Sequence, residues 1–290
     1  MKQIYPLADL HCDLLWYLSL DPARTPYDDA VRCSVRQLRT GNVKVQTLPI
    51  YTETCPGSQK SGLAQVEAFK SLPKLYPGVY KPIRSVLELE SSGSDPLIGL
   101  LPAVENASAV CGEEEDLDMA LERLTALQRR TGKLLYVSLT WNFENRFGGG
   151  SSTRVGLKED GKRLVDYLAQ KNIPIDFSHA SDDLAYGILE YADKERLQPL
   201  VIASHSNMRK IAGVPRNLPD DLAKEIIKRK GVIGMNFIRY FVGRDSLSNF
   251  SRQLEHLLSI GGQDHVVFGA DFFCAEDMRP EYFKPVSELF

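Results

Sequence analysis

The sequence predicts an α/β fold, a (β/α)8 or TIM barrel. Eight short and mostly apolar segments recur along the 290 residues, and segments with helical spacing separate most of them. Continuous apolar strands that alternate with amphipathic helices are typical of a parallel sheet covered by helices. Eight such units in a chain of this length favour a closed barrel over an open doubly wound sheet.

The strand candidates are apolar runs bounded by turn residues or by helical segments. In chain order they cover residues 7–11, 43–51, 96–105, 133–141, 173–179, 199–205, 231–237 and 265–272. Two of them, 173–179 and 199–205, stop at a serine-histidine pair. One such ending is as well explained by a polar strand terminus before a turn. Two such endings in consecutive strands indicate histidine side chains held at the rim of the sheet.

The helix candidates have apolar residues on one face. They cover residues 61–75, 117–130, 157–171, 182–193, 219–230 and 246–260. Pro73 and Pro77 are expected to end the first of them, and the stretch 21–36 is polar and irregular. Residues 273–290 have weak helical character, so the last outer helix is expected to be short or missing. No linker or repeat interrupts the pattern, which predicts a single domain over residues 1–290.

The composition excludes several classes of protein. The net charge is −3 and the basic residues are scattered, so nothing indicates a nucleic-acid partner. No run approaches the roughly 18 apolar residues that span a bilayer, and the N-terminus has no apolar signal segment. We therefore expect a cytoplasmic protein without a membrane partner. Five widely spaced cysteines, an odd number, are typical of free thiols in a reducing compartment.

Histidines and acids follow the predicted strands at the end where a barrel holds its active site. These residues are His11, Asp13, Glu105, His179, His205 and Asp271. Packing does not require imidazoles at strand ends, and neutral imidazoles with carboxylates are ligands suited to zinc or a similar divalent ion. Six candidates exceed the three protein ligands of one catalytic zinc. The surplus indicates two ions bridged by one carboxylate.

Motifs around these residues resemble the membrane (renal) dipeptidase family of zinc metallopeptidases. They are DLHCD, PAVEN, SLTWN, IDFSHAS, VIASHSN, PRNLPDD, GVIGMNF and FGADF, in the family's order, from about residue 9 to residue 272. The resemblance implies a (β/α)8 barrel of the metal-dependent hydrolase type with two zinc ions. It also implies cleavage of small dipeptides, including those with a C-terminal D-residue.

Specific roles for the strand-end residues follow from this resemblance. It implies that His11 and Asp13 bind the first zinc, that His179 and His205 bind the second, and that Glu105 bridges the two.

Two further residues take roles in catalysis and in substrate binding. A hydroxide shared by two zinc ions is available near neutral pH and would attack the peptide carbonyl. Asp271, which matches an acid of the family, would move the proton from the water to the leaving amine. Arg216 matches the family's arginine that binds the C-terminal carboxylate of the substrate. The planar guanidinium of arginine can bond both oxygens of a carboxylate. The simple alternative for Arg216 is a surface residue paired with Asp220 or Asp221.

The sequence departs from the family at two places. Trp141 stands where well-known members have a histidine that stabilises the oxyanion. The tryptophan is expected to line the substrate pocket or to pack in the core, and Asn142, Asn145 and Arg146 are alternative donors nearby. The short C-terminus leaves open a truncated chain, a shorter subgroup, or closure by a second subunit, as in a homodimer.

Two other functions remain open at this point. The same barrel could be a metal-dependent hydrolase of other small amides, esters or lactones. It could also be a catalytically silent scaffold that binds a partner. Blocked dipeptides distinguish the first alternative from a dipeptidase, and metal analysis distinguishes the second.

Overall fold

A computed structural model describes residues 5–277 of the chain. The strands are β1 (Leu7–Asp9), β2 (Val43–Tyr51), β3 (Tyr80–Pro82), β4 (Ile98–Glu105), β5 (Val137–Ser138), β6 (Ile175–Asp176), β7 (Val201–Ile202), β8 (Ile233–Met235) and β9 (Val266–Phe268). They pair in the order β7-β6-β5-β4-β2-β1-β9-β8, and every pairing between these named strands is parallel. A parallel bridge between Ala203 and Ile233 joins the two ends of this order. The predicted eight-stranded barrel is confirmed.

Strand β3 was not predicted, and it is an addition to the barrel. It pairs with the first half of β4, from Tyr80 opposite Ile98 to Pro82 opposite Leu100. The run Tyr-Lys-Pro is short and ends in proline, so it has neither the length nor the pattern that identifies a strand. It occupies the edge of β4 ahead of the point where β5 pairs with Val104.

The α-helices are α1 (Leu14–Leu20), α2 (Val35–Thr40), α3 (Ser58–Leu75), α4 (Val86–Ser91), α5 (Leu117–Thr131), α6 (Glu159–Lys171), α7 (Asp182–Lys194), α8 (Asp220–Lys228), α9 (Arg239–Val242) and α10 (Ser246–Ser259). The six helices predicted from periodicity agree with α3, α5, α6, α7, α8 and α10 to within a few residues. Four short helices were missed, because a helix of one or two turns carries little periodicity.

Helix α3 ends at Leu75, between the two prolines that were predicted to end it, with Pro73 inside its last turn. One local prediction was wrong. The stretch 21–36 is more regular than expected, since it contains a 3-10 turn at Asp29–Val31 and the start of α2. Helix α2 begins with a capping box, in which the side chains of Ser34 and Gln37 each bond the other residue's backbone N–H.

The strands divide their side chains between the helices and the barrel interior. Val104, Val137 and Val201 belong to the main core, which includes the buried faces of the helices. Their neighbours Ala103, Tyr136 and Ile202 form a separate small cluster. Because side chains alternate along a strand, we assign this small cluster to the inside of the barrel.

Two remaining expectations concern the end of the chain and the membrane. The last outer helix was predicted to be short or missing, and a 3-10 turn at Ala275–Asp277 is the part of this region that the structure describes. Residues 278–290 lie outside the described part. Within residues 5–277, no helix has both the length and the apolar character needed to cross a bilayer.

Candidate metal centre

All six predicted strand-end residues meet at one end of the barrel. Glu105 is the last residue of β4, and the other five follow their strands by two to four residues: His11 and Asp13 after β1, His179 after β6, His205 after β7, and Asp271 after β9. Parallel strands deliver their carboxyl ends to the same rim, which explains how residues so far apart in sequence meet. Asp13 and Asp271, with side chains 13% and 15% exposed, mark the open side of the cluster.

Glu105 lies at the centre of this cluster. Its Oε1 is 2.8 Å from Nε2 of His179 and 3.4 Å from Nε2 of His205. Its Oε2 is 3.4 Å from Nε2 of His11, which in turn lies 3.7 Å from Oδ1 of Asp13. One carboxylate therefore faces two separate groups of ligands.

Three triads in the cluster have ligand atoms within 4.8 Å of one another. They are His11-Asp13-Glu105, Glu105-His179-His205 and His11-His205-Asp271. The first two share Glu105 and match the two ligand sets that the sequence resemblance implies. The third shows that Asp271 is also close enough to contact an ion.

The donor atoms suit a divalent cation. Nε2 of His11 and Oδ1 of Asp13 are buried without a hydrogen-bond partner. Nε2 of His179 and Nε2 of His205 are 3.0 Å apart. Lone pairs that converge in this way repel one another unless a positive charge lies between them. Imidazole nitrogens with carboxylate oxygens form a ligand set typical of zinc.

Each histidine uses its other ring nitrogen to hold its orientation. Nδ1 of His11 lies 2.8 Å from the hydroxyl of Tyr136. Nδ1 of His179 lies 2.9 Å from Oδ1 of Asn142, and Nδ1 of His205 lies 2.7 Å from Oγ of Ser204. Outer partners of this kind fix the ring and its tautomer in metal sites. Consequently, all three Nε2 atoms point into the cluster.

Burial and neighbouring charges shift the pKa values of the candidate ligands. Burial lowers the pKa of His179 to about 4, and the positive charge of Arg216 adds to this effect. The pKa of His205 is lowered well below its usual value, first by burial and then by His11. Burial would raise the pKa of Glu105, but attraction to His11 and His179 outweighs it, so the pKa of Glu105 is well below its usual value. The two neighbouring imidazoles are thus neutral and Glu105 is ionised, as metal ligation requires.

The pKa of His11 shifts in the opposite direction to the pKa values of the other two histidines. Burial by itself lowers the pKa of His11, but interactions with Tyr136, Glu105 and Asp13 outweigh burial and raise this pKa well above its usual value. The ring of His11 therefore lies in a negative environment, formed in part by Glu105 and Asp13.

Asp271 is held at the open side of the cluster by its backbone and by Asn236. It has a left-handed backbone with φ of 60°, and its N–H donates to the carbonyl of His11. Its Oδ2 accepts a hydrogen bond of 2.8 Å from Asn236. Burial, and then the nearby acids Asp13 and Glu105, raise the pKa of Asp271 to about 7 against the opposing effect of His11.

Arg216 does not have the exposed position that the simple alternative required. It is 8% exposed, and it donates to Oγ of Ser206 at 2.8 Å and to the carbonyl of His205 at 3.1 Å. Asp220 accepts from His256 and Asp221 accepts from Tyr186, so neither acid serves as its partner. Nε of Arg216 is buried without a hydrogen-bond partner. The guanidinium therefore lies behind His205 and beside the cluster.

Trp141 forms a wall of the site. It is 8% exposed, and its ring lies 6.0 Å from the ring of His179 and 5.2 Å from that of Tyr51. The nearby alternatives for oxyanion stabilisation have structural partners. Asn145 donates to Asn106 and to the carbonyl of Leu139, and Arg146 forms an ion pair with Asp160.

Tyr51, which lies next to Glu105 in the sheet, also lines a cavity of about 530 Å³. Tyr51 pairs with Glu105 in the register of β2 and β4, and its ring contacts both Trp141 and Trp16. Trp16, Glu53 and Lys60 are among the residues that line the cavity.

The sequence did not identify the residues that hold the ligands in place. These are Tyr136, Asn142, Asp176, Ser204 and Asn236. Asn142 was considered only as an oxyanion donor, and the two serines before the histidines had no assigned role. The serine-histidine pairs were the available signal, but the partner of each serine depends on how strands pair.

Comparison with known proteins identifies relatives of the whole chain. A model of the membrane dipeptidase family, peptidase family M19, matches residues 1–289. A protein of Klebsiella pneumoniae, described as an uncharacterized protein in the pqqA 5' region, is 30% identical over 203 residues, which are 65% of this chain and 70% of that protein.

Two crystal structures have similar folds. One, described as the dipeptidase AC, a metallopeptidase of family M19, superposes with a TM-score of 0.80 at 23% identity and covers 94% of this chain and 86% of its own. The other is a metallopeptidase from Rhodobacter sphaeroides liganded with a phosphinate mimic of the dipeptide L-Ala-D-Ala. It has a TM-score of 0.79 at 22% identity and covers 93% of this chain and 86% of its own.

Proposed function

The chain belongs to the membrane dipeptidase family and is a metal-dependent dipeptidase, and we propose that it cleaves dipeptides with two zinc ions. The observation that carries this proposal is the pair of ligand triads that share Glu105. His11 and Asp13 would hold the first ion with Glu105, and His179 and His205 would hold the second with the same carboxylate. When bound, the ions supply Lewis acidity, which lowers the pKa of a water and polarises a carbonyl oxygen.

The protein's own groups would then handle the proton and the substrate. We assign to Asp271 the transfer of the proton from the attacking water to the leaving amine. A carboxyl group in this position can accept a proton from a water molecule and release it to an amine. The hydrogen bond from Asn236 would hold Oδ2 of Asp271, so that Oδ1, 3.9 Å from Nε2 of His11, faces the reaction.

Arg216 would bind the C-terminal carboxylate of the dipeptide. Its guanidinium is positioned by Ser206 and by the carbonyl of His205, and these bonds leave it donors for an anion. A buried guanidinium without an acid partner is costly to the fold, and a substrate carboxylate would compensate it. Trp141 would close the pocket on the side of His179 and limit the size of the bound residue.

The C-terminal residue of the substrate is proposed to include the D configuration. The support is the metallopeptidase from Rhodobacter sphaeroides, whose bound ligand mimics L-Ala-D-Ala. L-Ala-D-Ala and L-Ala-L-Ala are therefore the first pair of substrates to compare.

The test measures zinc content and hydrolysis in one preparation. We expect about two zinc ions per chain and cleavage of free dipeptides. In His179→Ala we expect loss of the second ion and of cleavage. His256→Ala is the matched control, because His256 pairs with Asp220 away from the site and should behave like the unsubstituted protein. Dipeptides with a C-terminal amide should be poor substrates, since they lack the carboxylate that Arg216 binds.

Three outcomes would contradict the proposal in different ways. Equal cleavage of N-acetylated or C-amidated dipeptides would indicate a hydrolase of other small amides. Full zinc content with no cleavage of any dipeptide would remove the proposed substrate but keep the metal centre. A folded chain that binds no metal would indicate a binding scaffold.

Residues 1–290 are proposed to act as one (β/α)8 domain, since strands from β1 to β9 complete a single barrel. The cytoplasmic location and the homodimer stay predictions from the sequence. Light scattering of the purified chain tests the homodimer.

A further inference from the structure

Asp176 lies under the proposed metal centre and has no part in the steps above. Its side chain is buried, and its Oδ1 accepts from the backbone N–H groups of Ser178 at 3.1 Å and Ser204 at 2.7 Å. Its Oδ2 accepts from the hydroxyls of Ser138 at 2.8 Å and Ser204 at 2.7 Å. Both oxygens receive several donors, so this side chain acts as an acceptor only.

Ser204 connects this carboxylate to His205. Because the hydroxyl proton of Ser204 is directed at Asp176, its oxygen is left to accept a bond. Nδ1 of His205 lies 2.7 Å from that oxygen, and it satisfies the contact only as an N–H donor. A neutral imidazole with its proton on Nδ1 has its lone pair on Nε2, which faces Oε1 of Glu105 at 3.4 Å.

The second serine holds the backbone of the same histidine. Oγ of Ser178 donates to Oδ1 of Asp176 at 2.9 Å and accepts from the backbone N–H of His205 at 2.9 Å. Asp176 thus reaches both the ring and the main chain of His205 through one hydroxyl each. Ser138 bonds the same carboxylate, and its hydroxyl has no bond to a histidine among those found in the described structure.

We propose that Asp176 is a positioning residue that, through Ser204, fixes His205 as the Nδ1–H tautomer and presents its Nε2 to a metal ion. This inference rests on the proposed metal centre. Outer-shell partners of metal-bound histidines change metal affinity by about 10- to 100-fold when they are removed. The role differs from catalysis, because Asp176 acts only through Ser204 and His205.

The first experiment measures how firmly the full-length chain retains zinc. Zinc-loaded protein is titrated with a chelator. We expect Ser204→Ala to lower the affinity for one of the two ions by about 10- to 100-fold. Asp176→Asn should lower the affinity for the same ion. The amide of asparagine can donate to Oγ of Ser204, so the hydroxyl proton of Ser204 would turn towards Nδ1 of His205. Ser138→Ala is the matched control: it removes one bond from the same carboxylate oxygen and should leave retention near that of the unsubstituted protein.

The second experiment determines the tautomer of His205 in the absence of metal and substrate. Nitrogen-15 spectra of the metal-stripped full-length chain should show His205 with its proton on Nδ1, and Asp176→Asn should shift it towards the Nε2–H form. An Nε2–H tautomer in the unsubstituted chain would overturn the inference, and so would equal zinc loss in Ser138→Ala and Ser204→Ala. If Ser204→Ala fails to fold, Asp176→Asn and the unsubstituted chain still decide the question. A failure to cleave dipeptides would contradict the proposed function but would not alter this tautomer.

Discussion

Individual residues show that each rim histidine depends on a different partner. The Nδ1 atoms contact a phenol hydroxyl (Tyr136), an amide oxygen (Asn142) and an alcohol hydroxyl (Ser204). The ligands were predictable because a histidine at a strand end is visible in the sequence. The partners were not, because the contact of Tyr136 with His11 spans 125 residues and depends on which strands meet across the barrel.

Removal of the Tyr136 hydroxyl should weaken zinc binding at the first position. Tyr136→Phe keeps the buried ring but leaves Nδ1 of His11 without its acceptor, so we expect about 10- to 100-fold weaker retention of one ion in a chelator titration. Tyr80→Phe is the control, because the Tyr80 hydroxyl is buried and has no hydrogen-bond partner. Equal zinc retention in the two variants would show that the ring of His11 is held by packing alone.

At the scale of elements, long strands and helices were predicted better than the short pieces between them. β2 and β4 have their expected extents, whereas the run predicted at residues 133–141 yields only Val137–Ser138 as strand. The regular pairing of β5, β6 and β7 covers two residues in each strand. An apolar pattern locates such a strand but does not show where its hydrogen bonds stop.

The end of β7 depends on glycines in the neighbouring strands. A Cβ atom on Gly234 would lie 1.9 Å from the carbonyl oxygen of Ser204, and one on Gly269 would lie 2.0 Å from the same oxygen. The absence of a side chain at these two positions leaves room for the carbonyl group of Ser204. The isolated Gly in each run is thus explained by close backbone contact.

We expect Gly269→Ala to lower both the stability of the fold and the binding of the second zinc ion. Its new methyl group would also lie 2.9 Å from Cα of His205, so either the barrel shifts or the histidine moves. Overpacking of this kind costs about 1–3 kcal/mol of unfolding free energy. Gly78→Ala is the control, since nothing lies within 4 Å of a Cβ there. Denaturant unfolding and zinc content of both variants measure the effect, and unchanged zinc content in Gly269→Ala would contradict this account.

At the scale of the whole molecule, the metal centre is the place where the ends of most barrel strands meet. Its candidate ligands come from the ends of β1, β4, β6, β7 and β9, so an ion bound there would connect strands on both sides of the closure. A ligand that binds only the folded state stabilises it in proportion to the logarithm of its concentration. Metal binding and barrel stability should therefore be linked.

Zinc should raise the unfolding free energy of the chain by about 2.7 kcal/mol when free zinc is about 100 times its dissociation constant. Thermal unfolding with added zinc and with chelator measures this difference. Glu105→Gln should lose most of the zinc-dependent shift, because both triads use this carboxylate. The same melting temperature for the unsubstituted chain with zinc and with chelator would contradict the proposed linkage.

The pairing of β1 with β9 has a consequence for protein synthesis. Oδ1 of Asp9 accepts from the backbone N–H groups of His11 and Ala270, and 261 residues separate Asp9 from Ala270. A ribosome adds about 5–20 residues per second, so one edge of β1 waits on the order of 10 to 50 s for its partner strand. An open strand edge is a template for pairing with other chains. Until the last strand leaves the ribosome, the nascent chain has an incomplete rim, and protection of that edge by a chaperone would increase the yield of folded enzyme.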